Sequence, residues 1–452
     1  MNRKPAFTFF ACVAALCVGA TIKPSTTVIA GNAAQIAEVS PANRMAASPD
    51  IAIGADGSIN VIWVDKGEAA PPTNEHAGHA PATAPATQAR SHSHKAYNNL
   101  FFARSTDGGQ TFSKPLRLNN KDGELWGFAT SRPRIAVGKS GVIHVFYHGN
   151  RREASAARQA IDARYTRSTD GGKTFSTPRT LNRDGQGMDD GELNEAHCFG
   201  TMGVAPNGDV YAYWIDTRHM TSEKDNGAIY SAVSRDEGKT FGREQMLFRN
   251  SACPCCQLNV AFTLKGEVIL SARNVTADGA RDASVAISKD GGKTYSNFVA
   301  ATPNKWMIAA CPLKPTALAT DKDGRIFAAW FSGGEKSAGS AFAVSEDGGK
   351  TFSKPITLHE GASTPDRPQI SVAADGAVTV AWDAIVGQVR RVYLRTSTDH
   401  GKTFGAVVEL DAAPGTANYP AIAAGKNGKT FIAWQQNNRV MLKSVAPMMA
   451  KN

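Results

Sequence analysis

One octapeptide recurs six times along this chain: STDGGQTF from Ser105, STDGGKTF from Ser168, SRDEGKTF from Ser234, SKDGGKTY from Ser288, SEDGGKTF from Ser345 and STDHGKTF from Ser397. Successive copies begin 63, 66, 54, 57 and 52 residues apart. A period of that length marks stacked supersecondary units, and it overrides the two or three domains that 452 residues would otherwise suggest. Within each copy an Asp and glycines that tolerate positive φ read as a hairpin turn, and the closing Phe or Tyr returns the chain to a core. The octapeptides are therefore turns rather than catalytic loops.

A second repeat gives the number of units. A Gly followed six residues later by an aromatic occurs at Gly57 and Trp63, Gly141 and Tyr147, Gly208 and Trp214, Gly324 and Trp330, Gly376 and Trp382, and Gly428 and Trp434, with Gly266 and Ala272 as a seventh pair. Alternating β-branched or aromatic residues flank each Gly, the pattern of a hairpin and its second strand. Each unit reads as strand A, Gly turn, strand B, loop, strand C, Asp turn, strand D. The last unit ends after its third strand, NNRVMLKSV, while an orphan strand-like AQIAEVS (Ala34 to Ser40) precedes the first hairpin. The expectation is an all-β, seven-bladed β-propeller over 34–446, closed by its N-terminal strand so that no sheet edge is left open. A six-bladed ring is the competing arrangement.

The octapeptides match S-x-D-x-G-x-T-[FW], and on six copies the chain resembles the Asp-box, or BNR repeat, propellers of the sialidase-like superfamily. Resemblance to the sialidases implies a six-bladed ring, an Arg-Ile-Pro motif, three arginines for a substrate carboxylate, a Tyr and Glu nucleophile pair and an Asp acid. Here the nearest motif is SRPRI at Ser131 to Ile135. Arg132, Arg367 and Tyr419 precede Pro133, Pro368 and Pro420 at equivalent starts of strands A. They are the candidates for a glycoside hydrolase site, the arginines as carboxylate clamp and Tyr419 near the reacting carbon, with Asp216 as a further candidate. A third arginine and a paired Glu have no matching positions.

The first residues carry Arg3 and Lys4, an apolar stretch from Ala6 to Ala20 and the small-residue pattern Val18-Gly19-Ala20, which predicts a signal peptide over 1–20 with a second cut as late as Ala30. A periplasmic or secreted protein without membrane insertion is expected. Loss of Arg3 and Lys4 leaves +8 of the formal +10 charge. No basic run or aromatic-interleaved patch suggests nucleic acid.

Export gives the cysteines an oxidising setting. Antiparallel connectivity puts the Gly and Asp turns on one face and the strand A entries, with the B to C loops, on the other, around the mouth of the channel. All five cysteines beyond the signal fall at such entries in three consecutive units: Cys198 in the third, Cys253, Cys255 and Cys256 of SACPCCQLNV in the fourth, and Cys311 in the fifth. Three readings stand open: disulfides bracing a rim that docks a protein partner, a soft-metal site for copper or zinc with His197 beside Cys198, or plain packing. A Pro, Ala and Thr rich insert over 67–97 adds His76, His79, His92 and His94, a composition suited to metal collection. Other ligand candidates expected on this face are His148, Asp189, Asp190, Glu192, Glu195, Arg218, His219 and Met220. The leading expectation is a binding protein for a small ligand, foremost copper.

Overall fold

Each octapeptide folds as a self-satisfied turn that props one unit on the unit before it. In the first copy Asp107 takes the Ser105 hydroxyl (2.7 Å) and the Thr111 N–H (3.0 Å), while Gly109 N–H returns to Ser105 Oγ (2.9 Å). The later glycine of each copy has positive φ, and a Cβ there would strike a side chain of the preceding unit: Phe102 at Gly172, Tyr165 at Gly238, Tyr211 at Gly292, Ile287 at Gly349 and Phe342 at Gly401. At Gly109 in the first unit the obstacle is Leu442, from the last unit.

A computed structural model describes residues 28–30, 36–68, 98–127, 131–151, 160–183, 195–221, 225–308, 310, 312–334, 338–360 and 363–446. Apart from one 3-10 turn at Lys426–Gly428, the described residues hold strands and loops only, and no helix is long and apolar enough to cross a membrane. The signal-peptide residues 1–20 lie outside the described residues, as do 69–97 with His76, His79, His92 and His94.

The strands form seven successive antiparallel units. Their inner strands are Arg44–Ile53, Arg134–Val137, Glu195–Val204, Asn259–Phe262, Ala317–Thr320, Ser363–Val372 and Ala417–Ala424. Each inner strand packs against that of the next unit, and Ala417–Ala424 packs against Arg44–Ile53. Ile36–Glu38 pairs antiparallel with Arg439–Val445, Ile36 opposite Lys443, and supplies the fourth strand of the seventh unit. Val39 N–H continues the pairing onto Val440 O (2.8 Å).

The sheets are less separate than the repeat alone implies. The long inner strand of the third unit pairs its first residues, Glu195 and Ala196, with Ala160 and Ile161 of the second, and Ala252 pairs with Asn274 between the third and fourth units. Val28–Ala30 adds a fifth, parallel strand beside Val407–Glu409 in the sixth.

Four inner strands break register near their start, between Ala47 and Asp50, Cys198 and Thr201, Asp366 and Gln369, and Asn418 and Ala421. Ser48, Phe199, Arg367 and Tyr419 sit in these breaks at φ of 48 to 57°. Bulges of this kind re-aim side chains, and a non-glycine residue with positive φ persists only where surrounding contacts fix it.

Candidate functional site: three cysteines at a strand entry

Between the third and fourth units the strand Gln245–Ala252 runs directly into Cys253-Pro254-Cys255-Cys256. Pro254 presets φ at the second position of a four-residue turn, and Cys256 N–H returns to Cys253 O (3.3 Å). Cys253 N–H is held by Arg273 O and Leu258 N–H by Phe199 O, both at 2.9 Å. The turn is thus clamped between neighbouring units.

That clamp turns three sulfurs toward one another. Cys253 Sγ lies 3.5 Å from Cys255 Sγ and 3.6 Å from Cys256 Sγ. All three fall within 4.8 Å of each other, and all are buried and outside any disulfide. A point equidistant from three atoms so spaced sits roughly 2 to 2.4 Å from each, which brackets the ~2.3 Å of a metal–thiolate bond.

Two arginines flank the cluster. Arg281 donates Nη1 to Cys253 Sγ (3.4 Å) and to Ala310 O (3.1 Å). Arg273, 2% exposed, donates only to the carbonyls of Lys314, Arg281 and Phe331 and stacks on Trp306 at 4.9 Å. Neither meets a carboxylate among the described residues. Hydrogen bonds from the Cys255 and Cys256 thiols, helped by the Cys255 N–H and the Arg281 charge, hold Cys253 well below the ordinary thiol range. Burial, and then the adjacent Cys253 sulfur, push Cys256 up to about 12.

Two expected ligands go elsewhere. His197 is fully buried, with Nδ1 on Ile161 O (2.6 Å) and Nε2 facing Asp216 Oδ2 (3.4 Å). Its ring nitrogens are directed to those oxygens, so it does not join the sulfurs. Cys198 packs in the same apolar cluster but stands outside the trio; burial, and then Asp216, raise its pKa and keep it protonated. No disulfide links the described cysteines, so the braced rim is not found among them. Cys311, Asp189, Asp190 and Glu192 lie outside the described residues.

Arg132, Arg367 and Tyr419 do converge. Arg132 Nη1 reaches Pro420 O (2.9 Å) in the seventh unit, and burial lowers its pKa to about 10, leaving it charged. Arg367 lies 4.3 Å over the Tyr419 ring. It is already held by two carboxylates, Asp383 through Nε (3.1 Å) and Nη2 (2.9 Å) and Asp366 through Nη1 (3.0 Å). Those anions occupy the donors a substrate carboxylate would need. Asp216 does not face this group; it accepts from Trp214 Nε1 (3.1 Å) and from the Arg218 guanidinium (2.8 and 2.6 Å). His148 Nε2 accepts Gly200 N–H (2.9 Å), and burial lowers its pKa to about 3, so it is neutral. His219 bonds Tyr230 Oη (2.8 Å).

Arg273 and Arg281 were not legible as site residues from the sequence. The available signal was Ala272, which stands where the six other units carry Trp or Tyr and packs in the same cluster as the cysteines.

Residues 127–380 match the BNR repeat-like domain family. No curated protein matches the sequence. Among solved structures the chain is similar to a polysaccharide lyase, PL25 ulvan lyase, with TM-score 0.54 and 13% identity over 91% of this chain and 94% of that one. It is also similar to a Hadza microbial sialidase, with TM-score 0.50 and 16% identity over 78% of this chain and 74% of that one. A protein of unknown function from Dyadobacter fermentans gives TM-score 0.50 and 14% identity over 93% and 98%. At these identities the likeness extends to the fold.

Proposed function

The chain belongs to the BNR repeat-like family, and on that premise we propose that it is an exported seven-bladed propeller that binds a soft metal ion, copper first and zinc second, through Cys253, Cys255 and Cys256. The ring is supported by the contact of the seventh inner strand with the first and by the pairing of Ile36–Glu38 with the last unit. Export is supported by the N-terminal charge, apolar stretch and small-residue cut. The observation that carries the metal reading is the spacing of the sulfurs, 3.5 and 3.6 Å with the third side within 4.8 Å, which suits an ion at thiolate bond length with little rearrangement. Soft thiolate sets select Cu(I) or zinc over hard cations.

The test is a thiol count alongside elemental analysis of protein purified from the periplasm. The reading expects about one copper or zinc per chain, thiols that alkylate only after chelation, and loss of the ion in Cys255→Ser and Cys256→Ser. Oxidised cysteines without stoichiometric metal would overturn it.

A second reading, a sialidase-like glycoside hydrolase, draws on Arg132, a buried charge whose Nη1 bonds the carbonyls of Pro49 and of Pro420, the latter next to Tyr419. It expects turnover of a fluorogenic sialoside, lost in Arg132→Met. Absence of turnover across acidic glycosides removes it.

A further inference from the structure

Buried arginines are ordinarily matched by carboxylates, as Arg367 is here by Asp383 and Asp366. Arg273, which is buried, and Arg281, which is half-buried, meet no carboxylate among the described residues: their donors go to backbone carbonyls and to one sulfur. Arg281 Nη1 instead reaches Cys253 of the three-cysteine cluster. Resting on the metal reading above, we infer that Arg281, backed by Arg273, sets the charge of the ion this site accepts and favours a monovalent soft cation over a divalent one.

The argument is electrostatic and uses a charge that does not titrate. With the same three sulfurs, a monovalent ion leaves the centre one unit more negative than a divalent ion does, and a fixed guanidinium favours the more negative centre. Arg281 Nη1 lies 3.4 Å from Cys253 Sγ. An ion at bond length from that sulfur would sit about 4–6 Å from the guanidinium. At an effective dielectric of about 20, one unit of charge at that range changes relative affinity by about 100- to 1,000-fold, and solvent at the half-buried Arg281 draws the effect toward the lower end.

Ag(I) and Cd(II) suit the test, because both are thiophilic and share a filled d shell while differing by one charge. Each is titrated at fixed pH into the full chain, Arg281→Gln and Arg281→Lys, followed by the sulfur-to-metal absorption band. The expected result is a shift of the Cd(II) to Ag(I) affinity ratio toward Cd(II), on the order of 100-fold in Arg281→Gln, with Arg281→Lys within a few-fold of wild type. A structural strut would weaken both ions alike and leave the ratio unchanged; that result overturns the inference.

Arg281→Met in the full chain removes the same charge at a half-buried position and gives the ratio a second reading even if Arg281→Gln does not fold. A ratio equal to that of wild type there also overturns it. Wild-type protein that binds both ions with no arginine effect removes only this inference. Wild-type protein that binds neither ion removes the metal reading and this inference with it.

Discussion

Gly108 and Gly109 are neighbours in one Asp box with φ of 79 and 91°, yet only the second touches another unit. A Cβ at Gly108 meets nothing within 4 Å, whereas at Gly109 it lies 2.7 Å from Leu442 Cδ2 and 3.2 Å from Ile59 Cδ1. Leu442 and Ile59 are both buried, so neither has free space to retreat into. Placing an L-residue at positive φ costs about 1–2 kcal/mol at either position. Overfilling a packed site adds about 1–3 kcal/mol at Gly109 alone. Urea unfolding should therefore show Gly108→Ala destabilised by about 1–2 kcal/mol and Gly109→Ala by about 2–5 kcal/mol. Leu442→Ala, which by itself should cost about 2–5 kcal/mol, should cost less in the Gly109→Ala background because it removes the clash, giving a coupling of about 1–3 kcal/mol. Equal losses for the two glycines, or additivity within about 0.5 kcal/mol, would refute the docking of the first box on the last unit.

Val39→Pro removes the N–H that bonds Val440 O, and should lower Tm by several degrees and raise light scattering as the edge of Arg439–Val445 opens. Burial raises and hydrogen bonds from Thr403 and Ser397 lower the Asp399 pKa, to a net of about 2, and Thr351 holds Asp347 at about 2, against 3.8 unfolded. Their contribution is thus present above about pH 4 and lost as pH falls from about 4 toward 2, and Asp347→Asn should flatten the Tm–pH curve in that window. Arg367→Met leaves the fully buried Asp383 with Arg390 and the Tyr419 N–H, and should cost about 3 kcal/mol in urea unfolding. A fall in glycoside turnover with no change in stability would instead show Arg367 to be a substrate clamp.

The Asp boxes, the Gly turns and, within the spare segment, the strand Ile36–Glu38 were legible because each rests on local chemistry: an Asx turn, a positive φ, an alternating strand. The Cys-Pro-Cys-Cys cluster was legible for the same reason, since one short turn brings its sulfurs together. His197 was not, because its partners, Ile161 O and Asp216, come from the second unit and a paired strand, and that register is a tertiary outcome. Arg367 has a sequence equivalent to Arg132, yet Asp383 from the adjacent strand claims it. The strand-entry bulges were also hidden: Ser48, Phe199, Arg367 and Tyr419 are residue types that give no local reason to adopt positive φ.

The pairing of Ile36–Glu38 with Arg439–Val445 joins residues at opposite ends of the chain; the Val440 N–H to Ser40 Oγ bond spans 400 positions. During synthesis the first five units can assemble in order from strands close in sequence, but the sixth and seventh each take up an N-terminal strand made long before them. Closing a loop of that length instead of one of about 50 residues costs about 2 kcal/mol more in chain entropy. The growing chain therefore carries Ile36–Glu38 unpaired until Arg439–Val445 exists, and the seventh unit is completed in a late step. A full-length chain with this pairing held open would expose two edges, one at each end, that fit each other and equally fit those of a second copy.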